Sequence, residues 1–391
     1  MVPPSEAGED GGMRTSHKLG RWIAAGSAVA AVGMLAATLP VSAASAVTSD
    51  LAQLSLPEPT GPYPVGTTEL HLVDESRANP WPGDQVDREL MVSVFYPASR
   101  TAGYPSAPYM RPRAAAHFDA ETSGLPSGKV DWARTETHAV LGAPVAPGER
   151  PVLLYSPGAG DPRTWNTGMV AELASRGYVV ITIDNTYESP EVEFPDGSLI
   201  TMLPPGDDVN AYLKKAVDVR VADTSFVLDE LTRLNDGARM TGVPAGFAGT
   251  LDLTRVGMFG QSAGGSTAAT AMHADPRIRA GINMDGNLTW LDGSLMPVAE
   301  DGLDRPLLLL GQGGPTDTGP GWTAFRENTK GWTQERVLRG SAHSSFTDAQ
   351  AVVPQFDLPP DEREDKIGTI DPTVSIRIQH AWIAGFFDRW L

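Results

Sequence analysis

The sequence predicts an α/β protein: a mostly parallel central sheet with helices packed on both faces. Three observations carry this expectation. Short continuous apolar runs, Pro151-Val-Leu-Leu-Tyr155, Tyr178-Val-Val-Ile-Thr-Ile183 and Pro306-Leu-Leu-Leu-Leu310, read as strands buried on both faces rather than as half-solvated ones. Helical patterns alternate with them, above all Asp208 to Leu234, where Leu213, Val217, Val221, Leu228 and Leu231 recur at helical spacing. The third is Gly260-Gln-Ser-Ala-Gly264, a sharp turn between a strand-like Val256 to Phe259 and a small-residue helix from Ser266 to His273. Sheets of this kind bind ligands beyond the carboxyl ends of their strands, so that edge is where function is expected.

The N-terminus is set apart from the fold. Arg14, Lys18 and Arg21 precede an uncharged Ala-, Gly- and Val-rich run from Trp22 to Leu39, and Ala44-Ser45-Ala46 offers a small-x-small cleavage site. Residues 1–46 therefore read as a secretory signal peptide, and the protein as secreted and soluble after cleavage. Residues 47–64, with their prolines and serines, read as a loose arm, and 65–391 as one catalytic domain. The 391-residue chain is 41% hydrophobic, enough for one large core. It has no cysteine, which excludes disulfides, thiol chemistry and Cys-ligated metals. The formal charge is −18; three acids and three bases in the leader cancel, so the remainder carries all of it. Such a surface repels nucleic acid and leaves neutral or zwitterionic small molecules as substrates.

Taken in order, Thr67 to Val73 and Glu89 to Tyr96 read as strands, joined through a Pro- and Gly-containing turn. Residues 97–150, rich in Pro, Gly and Ala, show no clear strand and are long enough to fold over a site. After the strand at 151–155 come a helix from Thr164 to Arg176, the strand ending at Asp184 and a hairpin through Asp196-Gly197. The long helix and the 256–273 strand–turn–helix follow. Ala280 to Met284, Pro306 to Leu310 and Glu335 to Leu338 are further strands, with a helix near Trp322 to Thr329 and a closing helix from Pro372 to Trp390.

The chemistry centres on Ser262. G-x-S-x-G in a strand–turn–helix context is the nucleophile elbow, whose glycines let neighbouring backbone approach a strained serine. The pattern calls for a histidine, an acid and an oxyanion hole. Among the seven histidines, His343 follows the last strand in the small-residue loop Gly340-Ser-Ala-His-Ser-Ser-Phe346, and gives the chain order Ser, acid, His of α/β-hydrolases. Two acids fit that order: Asp285, ending the strand after the elbow, and Asp317, after the next strand. Asp184 is out of order and reads as structural. The oxyanion hole needs two backbone N–H groups. Ala263, following the nucleophile, supplies one, and Ala159 in the Gly158-Ala-Gly160 turn the other, since Pro157 has no N–H. The P-loop Lys-Ser/Thr pair is missing from that turn, so it is no phosphate cradle. No cofactor is called for, and no EF-hand-like spacing of acids is present.

Several stretches together resemble the platelet-activating factor acetylhydrolases of the plasma type and their bacterial relatives. They are Arg150-Pro-Val-Leu-Leu-Tyr-Ser-Pro-Gly-Ala-Gly-Asp-Pro-Arg163, Leu173 to Val180, Arg220 to Leu231, the elbow, Asn283-Met-Asp-Gly286 and Gly340-Ser-Ala-His343. The resemblance implies the α/β-hydrolase fold and a serine carboxylic-ester hydrolase acting on short-chain or phospholipid acyl esters, with transient contact to a lipid surface. Relatives of the lipase and cutinase kind imply the alternative of triacylglycerol or polyester hydrolysis. The acetylhydrolase pattern places its acid where Asp285 stands; the cutinase-like pattern places it nearer Asp317. The animal family has His-Gly where this chain has Pro157-Gly158, and more apolar residues after its acid. Trp290 and Leu291, with Leu295 and Met296, and Tyr109, Met110 and Phe118 of the long loop, are candidates for lining an acyl groove.

Overall fold

The strand that carries Ser262 lies in the middle of a nine-stranded sheet in the computed structural model, which describes residues 51–83, 86–313 and 319–391. The expected leader and Asp317 lie outside the described residues. In chain order the strands are β1 (Val65–Ala78), β2 (Asp87–Pro97), β3 (Ala139–Leu141), β4 (Arg150–Ser156), β5 (Val179–Asp184), β8 (Leu251–Gln261), β9 (Ile278–Met284), β10 (Leu307–Gly311) and β11 (Thr333–Val337). A separate hairpin pairs β6 (Glu191–Glu193) with β7 (Leu199–Thr201), as the Asp196-Gly197 turn predicts. Across the sheet the order is β11-β10-β9-β8-β4-β5-β2-β1-β3. Neighbours from β11 to β5 are parallel, and β2 runs antiparallel to both β5 and β1.

The helices are α1 (Pro112–His117), α2 (Thr167–Ser175), α3 (Val209–Asn235), α4 (Ala263–Ala274), α5 (Pro297–Asp301), α6 (Gly319–Asn328), α7 (Ala349–Val352), α8 (Pro360–Ile367) and α9 (Pro372–Trp390). Continuous apolar strands become two cores because successive side chains point to opposite faces. Val152, Leu154, Leu307 and Leu309 pack on one face with α3, α4, α5 and α6. Leu153, Tyr155, Leu308 and Leu310 pack on the other with α2 and α9. Each fully buried Leu contributes about 1.5–3 kcal/mol relative to exposure.

Strand order fixes where the site lies. From β4 the chain passes through α2 to β5 on one side; from β8 it passes through α4 to β9 on the other. The carboxyl ends of β4 and β8 thus flank a topological switch point, where a crevice opens between diverging connections.

Two expectations for the periphery change. Of the loose arm expected at 47–64, the described part, 51–64, is ordered against the domain: Leu54 and Leu56 are buried, and the backbone bridges Ala52 to Val130 and Ser55 to Glu136. The reason is hydrophobic: those leucines fill a cluster with Tyr109, Met110, Phe118, Trp132, Trp165 and Val353. The same cluster organises residues 97–150, which hold α1 and β3, the latter pairing with β1. Tyr109, Met110 and Phe118 are therefore core and not groove lining.

Candidate active site

β8 ends at Gln261, α4 starts at Ala263, and Ser262 between them adopts φ 55° and ψ −123°. A non-glycine residue in that region costs about 1–3 kcal/mol and persists only when its surroundings impose it. Here the glycines impose it. A Cβ on Gly264 would overlap the Ser156 carbonyl, and one on Gly260 would overlap the backbone of Gly264. The N-terminus of α4 is thus pressed against the end of β4, with Ser262 on the corner. Its N–H donates to the Met284 carbonyl at 2.8 Å, which ties the corner to the end of β9.

Asp285 is the next residue after β9 and is also left-handed, at φ 57°. Asn283 builds its turn, accepting from the Gly286 N–H at 2.8 Å and donating to the Gly286 carbonyl at 2.9 Å. Trp322 of α6 donates to that same carbonyl at 2.7 Å. The Asp285 carboxylate is 2% exposed and faces His343, with Oδ2 at 2.5 Å from His343 Nδ1. Gln312, after β10, donates its N–H to Oδ1 at 3.2 Å and its amide to Oδ2 at 3.0 Å. The buried carboxylate is thereby satisfied on both oxygens.

His343 sits on a 3₁₀ turn after β11, and 49% of its side chain is exposed with residues 97–150 in place. Its loop is pinned on both sides. Gln261, beside Ser262, donates to the His343 carbonyl at 3.2 Å. Asp348, buried, accepts from the Thr167 and Gly168 N–H groups at the start of α2, at 2.8 and 3.0 Å, and from Tyr109 at 3.0 Å. Burial pushes the Asp348 carboxyl up to about 7 against those donors. Other described histidines have partners elsewhere: His71 with Glu89, His117 with Glu191, His273 with Asp301.

On the β4 side, Ser156 pairs with Gly260, so Gly158 and Ser262 leave the sheet side by side two residues later. Ala159 is exposed, and its N–H makes no hydrogen bond to any described residue. Asp161, partly exposed beyond it, is pushed up to about 6 by burial, with His343 and Arg220 pulling down and Glu191 pushing up. Under the turn lies Arg220 of α3, fully buried. Its guanidinium donates to Pro157 O at 2.5 Å, Gly158 O at 3.3 Å and Ser156 Oγ at 3.2 Å. Glu188 takes its other edge at 2.5–2.8 Å. Burial works against the Arg220 charge, but Glu188 together with Tyr212 and Asp161 holds its pKa above the ordinary value. Arg220 and Glu188 were not singled out from sequence, although Arg220 stands three residues from Val217 and four from Thr224, on the buried face of α3, which also carries Asp223 and Glu230. A charge on a buried stripe signals a hidden partner.

Trp290 and Leu291 lie at the tip of a tight turn docked on the start of α3. Leu291 N–H donates to Asn210 at 3.0 Å, and Lys214 Nζ stands 5.7 Å from the Trp290 ring. Trp290 packs on the core while Leu291 is 52% exposed. Met296 is buried. Asp184 is buried and paired with Arg163, a strut that also reaches Glu69. No group of three or more His, Asp or Glu among the described residues is placed to hold a metal.

The switch-point sheet with an elbow at its centre is the α/β-hydrolase fold. The solved ferulic acid esterase from Streptomyces cinnamoneus superposes with a TM-score of 0.74 at 34% identity, covering 87% of this chain and 94% of that one. The chain is a carboxylic ester hydrolase. The sequence profile of platelet-activating factor acetylhydrolase, isoform II, matches residues 48–389, and the chain belongs to that family. A probable 1-alkyl-2-acetylglycerophosphocholine esterase of Arthroderma benhamiae is 31% identical, over 79% of this chain and 80% of that protein. The platelet-activating factor acetylhydrolase of Canis lupus familiaris is 24% identical over 77% and 70%.

Proposed function

We propose that this protein is a secreted serine esterase, its leader being residues 1–46, that cleaves short-chain acyl esters through an acyl-enzyme. Ser262 Oγ attacks the ester carbonyl while His343 takes its proton, and Asp285 holds the imidazole tautomer and the imidazolium that forms. The oxyanion rests on the Ala159 and Ala263 N–H groups. His343 then protonates the departing alkoxide. Water, deprotonated by His343, attacks the acyl carbonyl; the carboxylic acid leaves and Ser262 regains its proton. The observation that carries this reading is the 2.5 Å bond between His343 Nδ1 and a buried Asp285, at the edge of the sheet where the strained Ser262 stands.

The names of the relatives favour acetyl esters, including those of ether phospholipids met at a lipid surface. A second reading, esters of aromatic acids, is favoured by the 34% identity to a ferulic acid esterase. The test is hydrolysis of p-nitrophenyl acetate, butyrate and palmitate and of methyl ferulate by residues 47–391. Ser262→Ala and His343→Ala are expected to lose about 10³-fold or more in kcat at unchanged fold. Asp285→Asn is expected to lose about 10²-fold or more, with Asp317→Asn near wild type. Wild-type turnover by Ser262→Ala ends the reading; a dead Asp317→Asn with an active Asp285→Asn moves the acid one strand on. Dominant methyl ferulate cleavage selects the second substrate class.

A further inference from the structure

Oxyanion donors work only if their N–H groups already point the right way, and nothing in the Gly158-Ala-Gly160 sequence fixes that. Glycine-flanked peptides flip readily because Gly tolerates either sign of φ. The Asp161 N–H closes the turn on the Gly158 carbonyl at 3.3 Å, but what anchors that carbonyl to the body of the protein is remote in sequence. Arg220 Nη1 holds the Pro157 carbonyl at 2.5 Å, and Nη2 holds the Gly158 carbonyl at 3.3 Å. In a trans peptide the C=O and the following N–H point in opposite directions. With the Gly158 carbonyl drawn inward to Arg220, the Ala159 N–H is turned outward, to the exposed side of the turn beside Ser262. The Pro157 carbonyl does the same for the Gly158 N–H.

The guanidinium is itself immobilised. Glu188 grips it at Nε and Nη2, and Ser156 Oγ receives Nη1 at 3.2 Å. Glu188 belongs to a turn anchored at its start, where Asn185 donates to Asp223 of α3 at 2.8 Å and Arg88 donates to the Thr186 carbonyl at 2.8 Å, and closed by the Ser189 N–H on the Asn185 carbonyl at 2.8 Å. A planar fork with two donors can span two successive carbonyls; a lysine ammonium is a point charge and cannot hold both in register.

We propose that Arg220, locked by Glu188, is a positioning residue that sets the orientation of the 158–159 peptide and thereby forms half of the oxyanion hole. This rests on the reading of Ser262, His343 and Ala159 given above. Arg220 touches no reacting atom, so its effect is confined to states in which the substrate oxygen is negative.

The test measures three quantities on Arg220→Lys and Glu188→Gln beside wild type. They are kcat and KM for p-nitrophenyl butyrate, affinity for a butyryl-chain trifluoromethyl ketone, whose hemiketal oxyanion mimics the intermediate, and the thermal midpoint. Arg220→Lys is expected to lower kcat about 10- to 100-fold, with KM within about twofold. Trifluoromethyl ketone affinity should fall by a similar factor in a protein that still melts cooperatively. Glu188→Gln, which keeps an acceptor but loses the charge, should show a smaller drop of the same pattern, and serves if Arg220→Lys does not fold. A merely structural arginine would lower the melting point and leave kcat per folded molecule and ketone affinity unchanged; that result overturns the proposal. Wild-type turnover by Ser262→Ala overturns the site reading and the proposal with it, whereas a dead Ser262→Ala beside normal Arg220 and Glu188 variants overturns the proposal alone.

Discussion

The two halves of the site are held by different means. On the elbow side, Ser262 and Asp285 sit in left-handed conformations, forced there by glycines at 260, 264 and 286 and by the Asn283 side chain. Every part of that device lies within a few residues of the group it positions. On the side of the turn after β4 the one described non-glycine residue with a positive φ is Tyr187, at φ 72°, beside Glu188, and buried ionisable groups do most of the work: Arg220 with Glu188 beneath the 157–158 carbonyls, Asp348 at the start of α2. Strain is written locally and is indifferent to pH. Buried charge is assembled from distant segments and titrates.

The strongest way to break the comparison is on the strained side. Gly264→Ala puts a methyl group into the Ser156 carbonyl, which is backbone of a central strand and has no rotamer to change. Overpacking of this kind typically costs about 1–3 kcal/mol, and the rigid neighbours here put the expected loss at about 3 kcal/mol or more. It shifts the elbow as well, so activity should fall more than stability does. Both losses should be the same at pH 5 and pH 8. A Gly264→Ala protein with a wild-type melting point and turnover would mean that the elbow relaxes freely and is not held by close approach.

The charged side is broken with pH. Asp348 is pushed up to about 7 by burial, so the folded protein prefers it protonated. An acid whose folded pKa lies above its unfolded value of about 3.9 stabilises fully below that value and loses the contribution as pH rises through about 7. Asp348 thus lowers stability between pH 4 and pH 7. Asp348→Asn keeps an acceptor for the Thr167 or Gly168 N–H and cannot ionise. Its melting temperature should fall less than that of wild type from pH 5 to pH 8, and the difference should vanish near pH 4. Parallel curves would show that Asp348 stays ionised throughout, stabilised by the three hydrogen bonds it accepts.

The same division explains what could be read in advance. The sheet strands at 151–155, 178–183 and 306–310 stand out because a two-faced buried strand needs an unbroken apolar run. The elbow stands out because its glycines must sit two residues either side of the serine. Asp285 and His343 are found by their place after strands, which chain order supplies, and the structure brings these two side chains together. The segment 97–150 was opaque because its order comes from partners far away, Leu54, Leu56, Trp165 and Val353, and α1 is too short to show a period. β3 gains its structure from pairing with β1. Glu188 gave no local sign at all; Arg220, a charge on the buried face of α3 beside Asp223, pointed only to something it must meet.

The smallest expected effect sharpens the comparison most finely, because it couples the two halves. Asp161 lies on the turn after β4, yet the groups acting on it include His343, which pairs with Asp285 on the other side, along with Arg220 of α3 and Glu191 of β6. Burial pushes it up to about 6, while His343 and Arg220 pull it down, so it ionises in the range where a catalytic imidazole does. Attraction is reciprocal: an imidazolium that favours the ionised Asp161 is favoured by it equally. The two then titrate as a pair, and the acid limb of the pH–rate profile should be broader than a single ionisation. Asp161→Asn removes the anion, so the His343 imidazolium loses a stabilising neighbour and gives up its proton at lower pH. The acid limb of kcat/KM should move down by about half a unit to one unit and narrow to one proton. Arg220 and Glu188 are untouched, so the plateau rate at pH 8 should change less than about threefold. A plateau that collapses would place Asp161 among the groups holding the turn in shape. An acid limb that stays put would mean that solvent screens the exposed histidine from the turn, and that the halves titrate independently.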